Sequence, residues 1–138
     1  MGANNIEIEV ERNVPEDFRR VIRYLTNFER PEGLPRKKYL QFQRHATKFL
    51  LRNGILFRHS KPNMPPKRVV WDPEERIRII SELHDQDGHE GRQGTYSKVA
   101  LRYWWPRQYR EVEAFVKTYE ACQKRKPQYG QQIQYNTQ

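Results

Sequence analysis

His84, His89 and Cys122 are the residues of this chain best suited to metal chemistry: two imidazoles with four residues between them, and a thiol much farther along. Such donors favour zinc, and a structural zinc site wants four N or S ligands in a tetrahedron. The three can converge on one ion only if the intervening chain folds back on itself as helices. Residue type alone leaves other readings open. A histidine at a helix end is commonly a capping or hydrogen-bonded group, and a lone cysteine is by default a small buried hydrophobe. His45 and His59 read as solvated surface residues.

The composition bounds what can surround such a site. With 138 residues, the chain is one domain or two small ones, and its core is modest by surface-to-volume scaling. Hydrophobic residues make up 36% against 31% charged, so the core must lean on the rings of 8 Tyr, 6 Phe and 3 Trp. A net charge of +9 points to polyanions, nucleic acid first among them. A single cysteine excludes an intramolecular disulfide and suits a reducing compartment. No apolar run suggests a signal peptide or a membrane span, so an intracellular protein with no membrane partner is expected.

The elements that must position these groups are legible from period and punctuation. Asn13-Val14-Pro15 is a helix start, and Phe18, Val21, Ile22, Leu25 and Phe28 then lie on one helical stripe, stopped by Pro31-Glu32-Gly33. A second, basic helix runs from about Pro35 through Tyr39, Phe42, Ala46 and Phe49. The period then becomes two. Phe49 to Arg52, the pair Asn53-Gly54 and Ile55 to Arg58 predict a hairpin with a type I′ turn. Val69, Val70 and Trp71 offer a third strand after the loop from Pro62 to Pro66. Asp72-Pro73-Glu74-Glu75 opens a helix with Asp at the cap and Pro at the first position. Ile77, Ile80, Leu83 and His84 share its inner face, while Gly88 and Gly91 bracket His89 in a loop. Gly94-Thr95 caps the next helix, carrying Tyr96, Val99, Ala100 and Tyr103, and Pro106 starts a last one through Tyr109, Val112, Phe115 and Val116. The short break at Trp104-Trp105-Pro106 is of the length a helix-turn-helix needs.

Taken together, Leu83-His84-Asp85, Gly88-His89-Glu90-Gly91, Thr95, Arg102-Tyr103-Trp104-Trp105-Pro106, Val112, Phe115-Val116-Lys117 and Cys122-Gln123-Lys124-Arg125-Lys126 resemble the His-His-Cys-Cys zinc-binding domain of retroviral and Ty3/gypsy-type retrotransposon integrases. The upstream basic helix, the Asn-Gly hairpin and the Val69-Val70-Trp71 strand are similar to the extension that precedes this domain in some of them. The resemblance implies a helical bundle organised by zinc, serving multimerisation and DNA-end binding. It assigns His84, His89 and Cys122 as ligands and puts Tyr119 where the first cysteine belongs. A neutral phenol is a poor substitute for a thiolate, so zinc is a possible cofactor on an incomplete ligand set. Tyr119 can alternatively plug the site by packing on His84 or Tyr103.

These readings fix a set of expectations. The fold is α+β: a helix pair and a three-stranded antiparallel sheet, followed by an integrase-like helical bundle with a helix-turn-helix. Residues 1–13 are a polar tail, 14–71 the extension, 72–127 the zinc-binding bundle and 128–138 a second polar tail. Lys98, Arg102, Arg107, Arg110, Lys117, Lys124, Arg125 and Lys126 are candidate contacts to nucleic-acid phosphates. No base-reading side chain is identifiable, so the contact expected is independent of sequence. The resembling integrases catalyse strand transfer with three carboxylates in a core that follows the zinc domain. Here only a short polar tail follows Cys122, so neither enzyme activity nor a small-molecule substrate is expected. The expected role is a non-catalytic nucleic-acid or nucleoprotein module, nuclear, from a retroelement integrase or a host protein derived from one. Homo-oligomerisation is expected through Trp104 or Trp105, and a protein-interaction module with a degenerate zinc site is the competing class.

Overall fold

Pro15, with its ring-fixed φ of −58°, launches α1 (Glu16–Asn27), and Glu16 and Asp17 put negative charge where the helix dipole favours it. The helix buries Phe18 and Val21 and ends at Phe28, whose φ of 60° lets its N–H close on the Tyr24 carbonyl at 2.8 Å. That left-handed cap turns the chain outward three residues before the stop expected at Pro31. Phe28 therefore leaves the apolar stripe and is 76% exposed. After Pro35 comes α2 (Arg36–Ala46), held to α1 by Phe42 edge-on to Tyr24 and by Gln43 Nε2 donating to the Tyr24 hydroxyl. The computed structural model describes residues 14–86 and 91–125, and the side chains within them except at 86 and 120–125.

The hairpin forms as the turn chemistry requires. Strands β1 (Phe49–Arg52) and β2 (Ile55–Arg58) pair with Arg52 opposite Ile55, and Asn53 and Gly54 take φ of 53° and 75°. Strand β3 (Lys67–Val69) extends the sheet antiparallel to β2, ending before Val70 and Trp71. A fourth strand, β4 (Tyr103–Trp104), then pairs parallel to β3, with Arg68 opposite Tyr103 and Val69 opposite Trp104. The sheet is thus mixed, in the order β1-β2-β3-β4. The α+β class stands, but the three-stranded antiparallel sheet and the bare helix-turn-helix break both need correcting. Two residues at a helix end carry no periodicity from which a strand can be read.

A parallel pair requires a crossover, and here α3 (Pro73–Gln86) and α4 (Arg92–Arg102) supply it. Asp72 Oδ1 caps α3 by accepting from the Glu74 N–H at 3.1 Å. Its inner face holds Ile79, Ile80 and His84, whereas Ile77 is 50% exposed, contrary to the face expected for it. Helix α4 is capped by Gly91, earlier than the pattern suggested, so Thr95 is an interior residue and wholly buried. After β4, a turn at Pro106-Arg107 leads into α5 (Gln108–Arg125), and Gln108 Nε2 donates back to the Tyr103 carbonyl at 2.8 Å.

Two cores result. One gathers Val14, Phe18, Val21, Ala46, Phe49, Leu56 and Val69, the other Val70, Ile79, Ile80, Val99, Trp105, Val112 and Val116. The neighbours Val69 and Val70 face different cores, and so do Trp104 and Trp105, because consecutive side chains of extended backbone point to opposite sides. Arg76 and Glu111 brace the second core where α3 meets α5. They pair at 3.2 Å, while Glu111 also accepts from the Trp105 indole and Arg76 donates to the Val70 carbonyl.

Candidate metal centre and basic surface

His84 sits in the last turn of α3, 2% exposed, at the junction of the three helices of the second half. Its Nδ1 is 3.0 Å from the Thr95 hydroxyl of α4. From α5, Phe115 and Tyr119 approach the imidazole edge-on, with ring centroids at 5.8 and 4.7 Å. Helical spacing explains the convergence, since Phe115 and Tyr119 are four residues apart and share one stripe of α5. Thr95 was legible as a cap and as part of the integrase pattern, but not as a partner of His84. Its role as the partner of a buried histidine depends on where α4 starts.

The chemistry of this corner can be set against a zinc ion. A metal-ligating histidine is usually oriented by a hydrogen bond at its other ring nitrogen, and the Thr95 hydroxyl at Nδ1 has that relation to His84, so Nε2 is the atom that would face a metal. The departure is Tyr119, which brings a phenol ring to the imidazole where the integrase pattern has a thiol. His89 lies outside the described residues, as does the side chain of Cys122, although its backbone belongs to α5. Among the described residues, no three His, Cys, Asp or Glu side chains form a group that could hold a metal. Within those residues the corner supplies one oriented imidazole and no thiolate.

The candidate phosphate contacts divide. Arg102, at the end of α4, is exposed, as are Arg107 and Arg110 around the start of α5 and Lys117 farther along it. Arg107 adopts a φ of 62° in the turn before α5. Lys98 departs from the expectation: its Nζ is buried, so it does not face a ligand from solution. Lys124 and Arg125 continue α5, though their side chains, like all of Lys126, lie outside the described residues. The tryptophans expected at an oligomer interface are engaged internally. Trp105 is 1% exposed, and Trp104 packs edge-on against Phe18 and Phe49 at 6.5 and 5.7 Å.

Comparison with known proteins identifies the helical half. Residues 72–128 match the integrase zinc binding domain family. The chain is 32% identical over 92 residues to the Pro-Pol polyprotein of simian foamy virus type 3 (strain LK3), a stretch covering 67% of this chain and 7% of the polyprotein. It is 26% identical over 121 residues to the feline foamy virus Pro-Pol polyprotein, covering 86% of this chain and 9% of that one. Human gypsy retrotransposon integrase-like protein 1 is 28% identical over 83 residues, covering 59% of this chain and 16% of that protein. This chain therefore carries an integrase-type zinc-binding domain and is homologous to segments of viral polyproteins and gypsy-derived proteins, spanning under a fifth of each relative. No solved structure matches it. Among the described residues, no helix is long and apolar enough to cross a membrane.

Proposed function

We propose that this chain is a non-catalytic nucleic-acid-binding module of a retroelement integrase, or of a host protein derived from one, working in the nucleus. The observation that carries the reading is the integrase zinc-binding match over a bundle that exposes Arg102, Arg107, Arg110 and Lys117 on a chain of net charge +9. Exposed guanidinium and ammonium groups release counterions when they meet backbone phosphates, whatever the base sequence. His84, His89 and Cys122 would hold a zinc ion that ties the ends of the bundle together, with Tyr119 leaving the fourth position to water or another group.

Titration of labelled duplexes at several salt concentrations tests this reading. The wild-type chain should bind with a steep salt dependence. The Arg107→Ala/Arg110→Ala variant should lose affinity about equally on all sequences, its salt slope falling by about 2 if each arginine neutralises one phosphate. A wild-type chain that binds no duplex at low salt overturns the reading. That result would favour the protein-interaction class, which Tyr119 at a ligand position supports, and a homo-oligomer seen by light scattering would then define the partner.

A further inference from the structure

A second basic feature lies away from the helical bundle, beside the loop that joins β2 to β3. Arg58, His59, Ser60, Lys61, Lys67 and Trp104 line an open cleft of about 320 Å³, and no carboxylate is among them. Arg58 and Lys67 are direct cross-strand partners in the β2–β3 ladder. Like charges in that relation destabilise a sheet. The contrast with the next residue is instructive: Arg68 is neutralised by Glu75 at 2.6 Å, whereas among the described residues no carboxylate pairs with Arg58, Lys61 or Lys67. Burial and the positive charges of Lys61 and Arg58 lower the pKa of Lys67, so its ammonium sits where positive charge is already crowded.

The cleft is also held in shape. The Arg58 guanidinium lies 4.3 Å from the centroid of the Trp104 ring and 5.5 Å from that of Phe49, cation–π contacts that hold it over the aromatic surface. The loop is tied at its start by the His59 N–H to the Lys48 carbonyl at 2.9 Å, and in its middle by a turn from Met64 to Lys61. Pro62, Pro65 and Pro66 restrict the backbone between. Lys48, exposed and joined to the loop by that bond, carries positive charge beyond the cleft.

We propose that this cleft is a phosphate site that seats the backbone of a nucleic acid, with Arg58, Lys61 and Lys67 contacting phosphate oxygens and Trp104 holding Arg58 in place. A planar guanidinium beside two ammonium groups and the Ser60 hydroxyl suits the tetrahedral oxygens of a phosphodiester. A polymer of phosphates also accounts for the continuation of charge toward Lys48. The assignment rests on the nucleic-acid reading above and adds a second contact surface, on the sheet side of the molecule.

The test uses the full chain, a labelled duplex and the Lys61→Gln/Lys67→Gln variant, neither lysine being in the buried core. Affinity at about 0.1 M salt should fall about 10-fold and the salt slope by about 2, each lysine accounting for one phosphate. The melting temperature should hold or rise, because the change relieves repulsion across the ladder. A binding loss with a fall in melting temperature would mark the lysines as structural and overturn the site. Unchanged affinity and slope, alongside weakened binding by Arg107→Ala/Arg110→Ala, would overturn the cleft while the proposed function stands. A wild-type chain that ignores duplex would overturn both. Polyglutamate that displaces the duplex from the wild type at equal charge concentration would reassign the cleft to acidic peptides.

Discussion

The two halves of this molecule meet the same shortage of apolar residues differently. The sheet-bearing half fills its core with rings: Phe18 lies within 6.5 Å, centroid to centroid, of Phe49, Trp71 and Trp104. The helical half buries one ring fully, Trp105, among aliphatic side chains, keeps Tyr96, Tyr103 and Phe115 half-buried at its edge, and admits the polar groups His84, Thr95 and Gln108. Buried polar groups are costly unless satisfied, so the second half depends on specific pairings where the first depends on area. It is the half in which the integrase family places a metal. There the Tyr119 ring packs edge-on against His84, a side chain far larger than the cysteine of the integrase pattern.

Trp104 and Trp105 offer the sharpest way to break the comparison. Trp105→Ala should destabilise the chain by about 3–5 kcal/mol, the usual range for emptying a buried aromatic site. It also strips the Glu111 carboxylate of its indole donor while Arg76 stays in place. Trp104→Ala, half-buried in the other core, should cost less and bear chiefly on Arg58 and the aromatic cluster. Urea unfolding of both variants checks the order. Equal costs would mean that the two cores share their stability through β3 and β4 and do not act as separate units.

Zinc gives the next largest expected difference. Tyr119→Cys restores the thiolate that the integrase pattern carries at this position, and a closed four-ligand site couples metal binding to folding. With zinc at about 1,000 times its dissociation constant, that linkage raises stability by about 4 kcal/mol, read as a rise in melting temperature that a chelator reverses. Without zinc the variant should be less stable than the parent, because it loses the ring that packs on His84. A variant indifferent to zinc would detach Tyr119 from the ligand geometry.

How much of this was legible follows from the kind of signal each feature leaves. Asn53-Gly54 and Asp72-Pro73 name their own conformations, and both form as read. The convergence of His84 with residue 119 came through a motif, since residues on different helices leave no periodic trace of one another. Strand β4, the burial of Lys98 and the inward turn of Trp104 were not legible. The strand and the placement of Trp104 follow from the parallel crossover, a long-range pairing that costs two residues their helical pattern and signals nothing locally. The cleft at Arg58 and Lys67 was hidden for the same reason, because Trp104 reaches it only through that strand.

The smallest expected effect separates the halves by pH. His45, at the end of α2, is exposed as a residue but has its ring packed 5.0 Å from Phe49, and its pKa is lowered from the ordinary histidine value by that partial burial, then by the charges of Lys48 and Arg58, with Asp17 opposing. A depressed histidine pKa means that the unfolded chain takes up its proton first as the pH falls. Between the unfolded value of about 6.5 and the lower folded one, the unfolded state therefore holds more protons, and stability declines as the solution is acidified through that window. Above it the contribution is fully present. His45→Gln should flatten that part of a urea-midpoint profile while leaving the neutral-pH value nearly unchanged, with the loss confined to the sheet-bearing half as reported by hydrogen exchange. A profile whose slope in this window is the same with and without His45 would place the acid sensitivity elsewhere.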